Sequence, residues 1–177
     1  MNAPRLAVIA MALAAAACEP TAQAPKSTAP AGEWREFEGS WNASGRRHVL
    51  PFGAGRRAAI IDLRGTMLLS GPGRPGVGFR AELIGLSDST SGLVARGVWT
   101  DERGDQVFSE LKGEGDTQKN RITGTIVGGT GRYANVTGSY EFSWRFVLEA
   151  EDGSIQGSAT GLKGRVRAAP AGTGESK

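Results

Sequence analysis

The sequence predicts an all-β domain, and the architecture it favours is an eight-stranded antiparallel up-and-down barrel. Three observations support this prediction. Apolar and polar residues alternate in several segments, glycine is abundant at 27 of 177 residues, and clusters of turn-forming residues separate the alternating segments. No segment has the spacing of a long amphipathic helix. A flattened β-sandwich is the alternative that the same pattern allows.

The clearest alternation predicts a strand from Tyr140 to Leu148, with Trp144 facing the core and Arg145 facing solvent. Similar apolar faces are made by Phe37, Trp41 and Ala43, by Ala59, Ile61, Leu63, Met67 and Leu69, by Val77, Phe79, Ala81 and Leu83, and by Leu93, Ala95 and Trp99. Weaker patterns predict strands at Gln106–Gly113, Arg121–Val127 and Ser154–Val166. Short connections between these strands favour antiparallel neighbours, and closing the sheet removes its free edges.

Residues 1–17 are typical of a secretory signal peptide. The apolar run Leu6–Ala17 is shorter than the roughly 20 residues that span a bilayer. It ends in small residues before Cys18, the single cysteine, and this resembles a bacterial lipobox whose thiol is acylated. Ala15 stands where such motifs usually have Leu. Cleavage after Ala17 or after Ala24, which would give a soluble secreted protein, is the alternative.

The rest of the chain divides into three further segments. Residues 18–32 are rich in proline and small side chains and are predicted to form a flexible, lipid-anchored tether. The β domain is expected at 33–167, and residues 168–177 are expected to be a disordered tail. Glu19 follows the cysteine where inner-membrane lipoproteins commonly have Asp. Together with this difference, the resemblance to a lipobox implies attachment at the periplasmic face of the outer membrane.

One segment resembles a known family. The stretch from Ile126 to Gly138, in which the turn Gly128-Gly129-Thr130-Gly131-Arg132-Tyr133-Ala134 is followed by a strand beginning at a glycine, is similar to a signature of the allene oxide cyclase and dirigent-protein barrels. The resemblance implies an eight-stranded antiparallel barrel with a central cavity. The catalytic residues of the plant enzymes have no matching positions here, so the resemblance assigns none.

Several function classes are disfavoured. The 21 basic and 18 acidic residues form no basic tract, so no nucleic-acid partner is predicted. His48 is the single histidine and is expected in a loop. One histidine is too few for a zinc site, and no other residue marks a catalytic triad around it. No metal or cofactor site is predicted. The acids Asp101, Glu102, Asp105 and Glu110 lack the spacing of a calcium loop and are expected at a solvated hairpin tip.

The Gly-Gly-Thr-Gly segment also needs an interpretation of its own. A phosphate loop requires a following helix, and a strand is expected after this segment instead. The segment therefore predicts a tight turn that needs glycine conformations, and no phosphate site.

The candidate site is a cavity inside the barrel. Inward glycines at 39, 65, 85 and 97 would leave open space between large aromatic side chains. The predicted cavity residues are Trp41, Phe79, Gly97, Trp99, Tyr140, Phe142 and Trp144. The function expected is non-catalytic binding of a small apolar ligand or of a partner protein. One alternative is a cofactor-independent cyclase or isomerase, which should hold an ionisable group in the cavity. Another is a structural module with a filled barrel.

Overall fold

The structure is a computed structural model and describes residues 32–51, 53–114 and 121–168. It contains the strands β1 Arg35–Pro51, β2 Arg57–Ser70, β3 Gly78–Asp88, β4 Gly92–Thr100, β5 Gln106–Gly113, β6 Arg121–Gly129, β7 Val136–Glu149 and β8 Ser154–Ala168. Each strand pairs antiparallel with the next, and β8 pairs with β1, so the sheet closes. The prediction of an eight-stranded up-and-down barrel is confirmed. The signal segment, Cys18, the tether up to residue 31 and the tail from residue 169 lie outside the described residues.

Alternation along β7 gives the expected faces. Tyr140, Phe142 and Trp144 are buried, and Arg145 is exposed. Two of the predicted apolar faces extend too far, because Val77 precedes β3 and Leu148 lies near the end of β7, and both are exposed. These two side chains lie beyond the part of the sheet that curves around the core.

The first strand is longer than the sequence predicts. Beyond Arg46, β1 pairs with β2 and no longer with β8, and its last three residues are exposed. The prediction of a loop at His48 is wrong, because His48 lies in β1 opposite Ile60. This part of β1 has no buried face, so its residues carry no alternation that could have identified the strand.

The two ends of the barrel differ. The β2–β3, β4–β5 and β6–β7 connections lie at the end where β1 begins and β8 ends. Tyr133 seals this end: its side chain is almost fully buried, and its ring centroid lies 5.8 Å from that of Phe79. The turn before β3 packs over both rings, since a Cβ on Gly76 would lie 2.6 Å from Phe79 and 2.8 Å from the Tyr133 hydroxyl. We call this the sealed end, and the opposite one the open end.

The Gly-Gly-Thr-Gly segment is the turn that positions this seal. The expected strand does not follow the Gly-Gly-Thr-Gly segment immediately, because a single turn of 3-10 helix at Gly131–Tyr133 lies between this segment and β7. Gly131 has a φ of 50°, and a Cβ there would overlap the Asp105 carboxylate. Thr130 accepts a hydrogen bond from the Gln106 N–H at 2.9 Å. The glycine requirement is therefore conformational and steric, as the sequence predicts.

Asp101 corrects the prediction of a solvated hairpin tip. Its side chain is fully buried, and its Oδ1 accepts hydrogen bonds from the N–H groups of Arg103 and Asp105 at 2.8 and 3.0 Å. Its Oδ2 lies 2.5 Å from Nη2 of Arg132. Nε of Arg132 in turn donates to the Tyr133 hydroxyl at 2.9 Å. This acid thus ties the β4–β5 turn to the seal.

Acid should weaken this connection. Burial alone would raise the pKa of Asp101, but hydrogen bonds from the Arg103 N–H and the Tyr133 and Arg132 side chains hold it below its ordinary value of 3.8. A carboxyl with a depressed folded pKa stabilises fully above its unfolded pKa, and the contribution is lost as pH falls through the folded pKa. We expect the free energy of unfolding, measured with urea, to fall less steeply below about pH 4 in Asp101→Asn than in the wild type. Exposed Glu151→Gln is the control, and parallel curves for wild type and Asp101→Asn would contradict the prediction.

Candidate functional site

The centre of the barrel is packed. The Tyr140 hydroxyl donates to Oγ of Ser109 at 2.9 Å, and Ser109 donates to the Gly97 carbonyl at 3.4 Å. Burial raises the pKa of Tyr140, so its hydroxyl is neutral. The space left beside Trp99 and Tyr140 is about 10 Å³, at the lower limit for a single water molecule.

The expectation that inward glycines leave open space is wrong. A Cβ added at positions 39, 65, 85 or 97 would lie closer than 3.0 Å to a neighbouring atom in every case. At Gly65 it would overlap the carbonyl oxygen of Asn42 in the adjacent strand β1, which pairs with β2 at this point. At other positions an aromatic ring takes the place of the missing side chain, as the Tyr140 ring does over Gly124. These glycines permit close approach of strands and rings.

Space for a ligand lies at the open end instead. An open concavity of about 360 Å³, which we call the cup, leads into the barrel there. Its floor is apolar and includes Ile61, Leu93, Ile122, Trp144 and Phe146. Below the floor lies a smaller apolar space of about 40 Å³, which we call the chamber, with Trp41, Phe142 and Trp144 in its wall. Trp144 contributes to both spaces.

Charged side chains surround the rim of the cup. They are Arg47, Arg57, Asp88, Glu114, Arg121 and Glu149. Arg47 pairs with Glu149, with 2.6 Å between Nη1 and Oε1, and its guanidinium lies 5.5 Å from the centroid of the Phe146 ring. Arg121 pairs with Glu141 on the outer face. The rim is polar and mixed in charge, and Arg47 covers one edge of the apolar floor.

Two indole N–H groups in this region have no acceptor. Trp41 and Trp144 are 3% and 7% exposed, and their ring centroids lie 5.3 Å apart. Nε1 of each ring is buried without a hydrogen-bond partner among the described residues. A buried donor left unpaired costs about 1–3 kcal/mol. The Trp99 ring lies against the ring of Tyr140, with 4.9 Å between their centroids.

The structure divides the seven predicted cavity residues into three groups. Trp41, Phe142 and Trp144 line the chamber. Gly97, Trp99 and Tyr140 belong to the packed centre. Phe79 lies at the sealed end against Tyr133. All seven residues therefore belong to the interior of the barrel, but only Trp41, Phe142 and Trp144 border the chamber.

The prediction of site residues missed part of the cup. Ile61, Leu93 and Phe146 line the cup. The sequence places Ile61 and Leu93 on apolar strand faces and Phe146 within the strand from Tyr140 to Leu148, but none of the three is among the predicted cavity residues. Ile122 lies in a weakly patterned strand, where it shares an inward face with the buried Ile126. Its position two steps from Gly124 and four from Ile126 was the available signal. Arg47 offers no such signal, because its role depends on how far β1 extends past the barrel.

Other surfaces offer weaker candidates. A groove of about 760 Å³ crosses the outer face of β6, β7, β8 and β1, but its wall mixes polar and apolar groups, and Lys163 pairs there with Glu141 at 3.3 Å. Within the described ranges, no group of three or more His, Cys, Asp or Glu side chains could hold a metal ion. The same part of the chain contains no helix that is long and apolar enough to cross a membrane.

Comparison with known proteins finds no matching family model, no matching curated protein and no matching solved structure.

Proposed function

We propose that this barrel binds a small apolar ligand through the cup at its open end. The observation that carries the proposal is a solvent-open concavity with an apolar floor inside a charged rim. Its volume of about 360 Å³ falls in the usual range for small-molecule sites. The floor side chains Ile61, Leu93 and Phe146 are only partly buried, so a ligand would remove further apolar surface from water.

Binding without catalysis is favoured over a cyclase or isomerase activity. An enzyme of that kind should place an ionisable group against the reacting part of its substrate. Among the described residues, the chamber wall holds only apolar side chains, and the charged groups stand at the rim. The resemblance of the Gly128–Ala134 segment to the allene oxide cyclase and dirigent barrels supports a ligand-binding barrel. In this chain that segment forms the seal, away from the cup.

Two neighbouring residues of β4 allow a matched test. Leu93 is half-buried in the cup, whereas Val94 points outward and is 53% exposed. The neutral dye N-phenylnaphthylamine should gain fluorescence with the wild type and raise its melting temperature, because it binds only the folded state. Leu93→Glu should weaken this binding about tenfold or more, since a carboxylate would have to be desolvated. Val94→Glu should bind like the wild type.

Two results would contradict the proposed binding site. A wild type that neither enhances the dye's fluorescence nor gains stability from it would contradict the proposal. So would equal loss of binding in the two variants, because that would place the dye outside the cup.

We further propose that the chain is exported and held at the outer membrane through an acylated Cys18. The support is the apolar run that ends at a lone cysteine, in a part of the sequence outside the described residues. Cys18→Ser should abolish incorporation of labelled fatty acid and move the protein from the membrane fraction to the soluble fraction. Several buried acyl methylenes, at about 0.8 kcal/mol each, would otherwise hold it in place. A wild type that is soluble after export would refute the anchor.

A further inference from the structure

We infer that the sealed end docks on the surface of the bilayer that holds the anchor, with Trp34 at the level of the lipid headgroups and neighbouring arginines against the anionic lipid phosphates. The inference rests on the anchoring proposed at Cys18 and specifies how the anchored barrel meets the membrane. The docking surface, which we call the basic corner, consists of Trp34, Arg35, Arg74, Arg165 and Arg167.

Three parts of the chain meet in the basic corner. Arg35, at the start of β1, lies opposite Val166 of β8, and its guanidinium donates to the Pro72 carbonyl in the β2–β3 connection. Arg74 lies in the same connection, is exposed, and donates to the Gly71 carbonyl at 3.0 Å. The corner is therefore one continuous surface around the point where β1 begins.

Trp34 lies between the tether and the barrel. It is 42% exposed, and the guanidinium groups of Arg165 and Arg167 lie over its ring, 4.8 and 4.7 Å from the centroid. A guanidinium that stacks on a ring keeps its N–H groups in its own plane, where they can donate to phosphate oxygens. Tryptophan is itself enriched at membrane–water interfaces, because its ring is apolar and its N–H is polar.

The basic corner has an excess of positive charge. Within the described residues, Arg74, Arg165 and Arg167 form no ion pair. Two carboxylates adjoin the corner along the chain, Glu33 and Glu36, so its four arginines leave an excess of two positive charges. Each basic residue near an anionic lipid surface strengthens attachment by about fivefold, so this excess complements a bilayer that contains anionic lipid.

The chain before Gly32 supports the bilayer as the occupant of this surface. Residues 19–31 separate Cys18 from Gly32, and the described chain then leads directly through Trp34 into β1. An extended chain spans at most about 3.6 Å per residue, so acylation of Cys18 would keep Gly32 within roughly 50 Å of the leaflet. Such confinement raises the effective concentration of the basic corner at the lipid surface, and a modest attraction is then enough to hold it there.

The open end is the competing docking surface. It carries exposed apolar side chains, among them Leu50, Ile60 and Val147. Its rim has charges of both signs, however, and Arg47 there is paired with Glu149. It also lies at the end of the barrel opposite to the tether. Charge and the path of the chain therefore favour the sealed end.

Quenching of tryptophan fluorescence by brominated lipid tests the contact. The purified acylated protein is reconstituted into vesicles of phosphatidylethanolamine and phosphatidylglycerol that carry bromine on acyl carbons near the headgroup. We expect Trp34 to be quenched and Trp34→Phe to remove the quenching, because the three other tryptophans are buried in the barrel. Replacing phosphatidylglycerol with phosphatidylcholine, or adding about 0.5 M salt, should reduce the quenching at least about twofold.

A matched pair of double variants tests the role of the arginines. Arg165→Gln with Arg167→Gln removes two positive charges from the basic corner, and quenching should fall at least about twofold. Lys112→Gln with Arg145→Gln removes the same charge from exposed positions on the outer wall, in the halves of β5 and β7 nearer the open end. This control should be quenched like the wild type.

The outcomes separate the docking surface from the anchor. Absence of fatty-acid label on Cys18 overturns the anchor, and the inference with it. An acylated protein that is not quenched, or is quenched equally with and without phosphatidylglycerol, overturns the docking and leaves the anchor intact. Quenching that persists in Trp34→Phe also overturns it, because another face, such as the open end, then lies against the bilayer.

Discussion

Replacing Trp144 with alanine should destabilise the barrel by about 3–5 kcal/mol, a large part of the total stability of a small domain. The ring is 7% exposed and packs against Trp41 at 5.3 Å and Phe146 at 6.1 Å between centroids. It also lies over Gly157, where a Cβ would overlap it. Truncation would therefore remove contacts with two other strands, β1 and β8, and leave a void that β8 cannot fill from Gly157.

The next residue along the strand supplies the control. Arg145 is exposed on the outer face of β7, so Arg145→Ala should cost less than about 1 kcal/mol. Urea unfolding of the two variants and the wild type measures both values. Equal losses would show that the inward and outward faces of β7 are assigned incorrectly.

Gly65→Ala should cost about 3 kcal/mol or more, which is unusual for the addition of one methyl group. The added Cβ would overlap the carbonyl oxygen of Asn42, and backbone cannot move aside as a flexible side chain can. Gly65 pairs with Ala43 in the β1–β2 register, so any shift would also disturb the ladder between these two strands. The variant should unfold at a much lower urea concentration with an unchanged denaturant slope.

Gly78 is the matched glycine for this test. A Cβ there would meet only Leu68 Cδ2, at 3.6 Å, which is ordinary van der Waals contact. Gly78→Ala should therefore change stability by less than about 0.5 kcal/mol, or raise it slightly by restricting the unfolded chain. If Gly65→Ala cannot be recovered folded while Gly78→Ala can, the prediction holds. Similar stability for both variants would contradict it.

Period-2 alternation predicted the barrel because most of its strands have one buried and one solvated face. Phe37, Trp41 and Ala43 on β1 are buried as expected, as are Phe79, Ala81 and Leu83 on β3. Where a strand has no buried face, as in β1 around His48, the same rule has nothing to detect. At Val77 and Leu148 the error is the opposite one, because the alternation continues in the sequence past the last buried residue of each face.

The site was harder to predict, because the sequence does not distinguish a glycine that borders a cavity from one that packs against a neighbouring ring. Space depends on which rings lie over which glycines, and this follows from register and barrel closure. The ring of Tyr140 over Gly124 and that of Trp144 over Gly157 are contacts between strands. Sequence alternation alone also leaves open which end of the barrel is capped. The buried Asp101, bound to Arg132 beside Tyr133, shows that a cluster of charges at a turn can belong to a cap.

The position of the chain's entrance gives the barrel a direction. Residues 32–34 lead into β1 at the sealed end, where the ring of Trp34 lies 4.8 Å from the Arg165 guanidinium and 4.7 Å from that of Arg167. The segment before Trp34 therefore joins the barrel at its sealed end. With the attachment proposed at Cys18, the tether joins the barrel at the end opposite the cup, so the point of attachment does not cover the mouth of the cup.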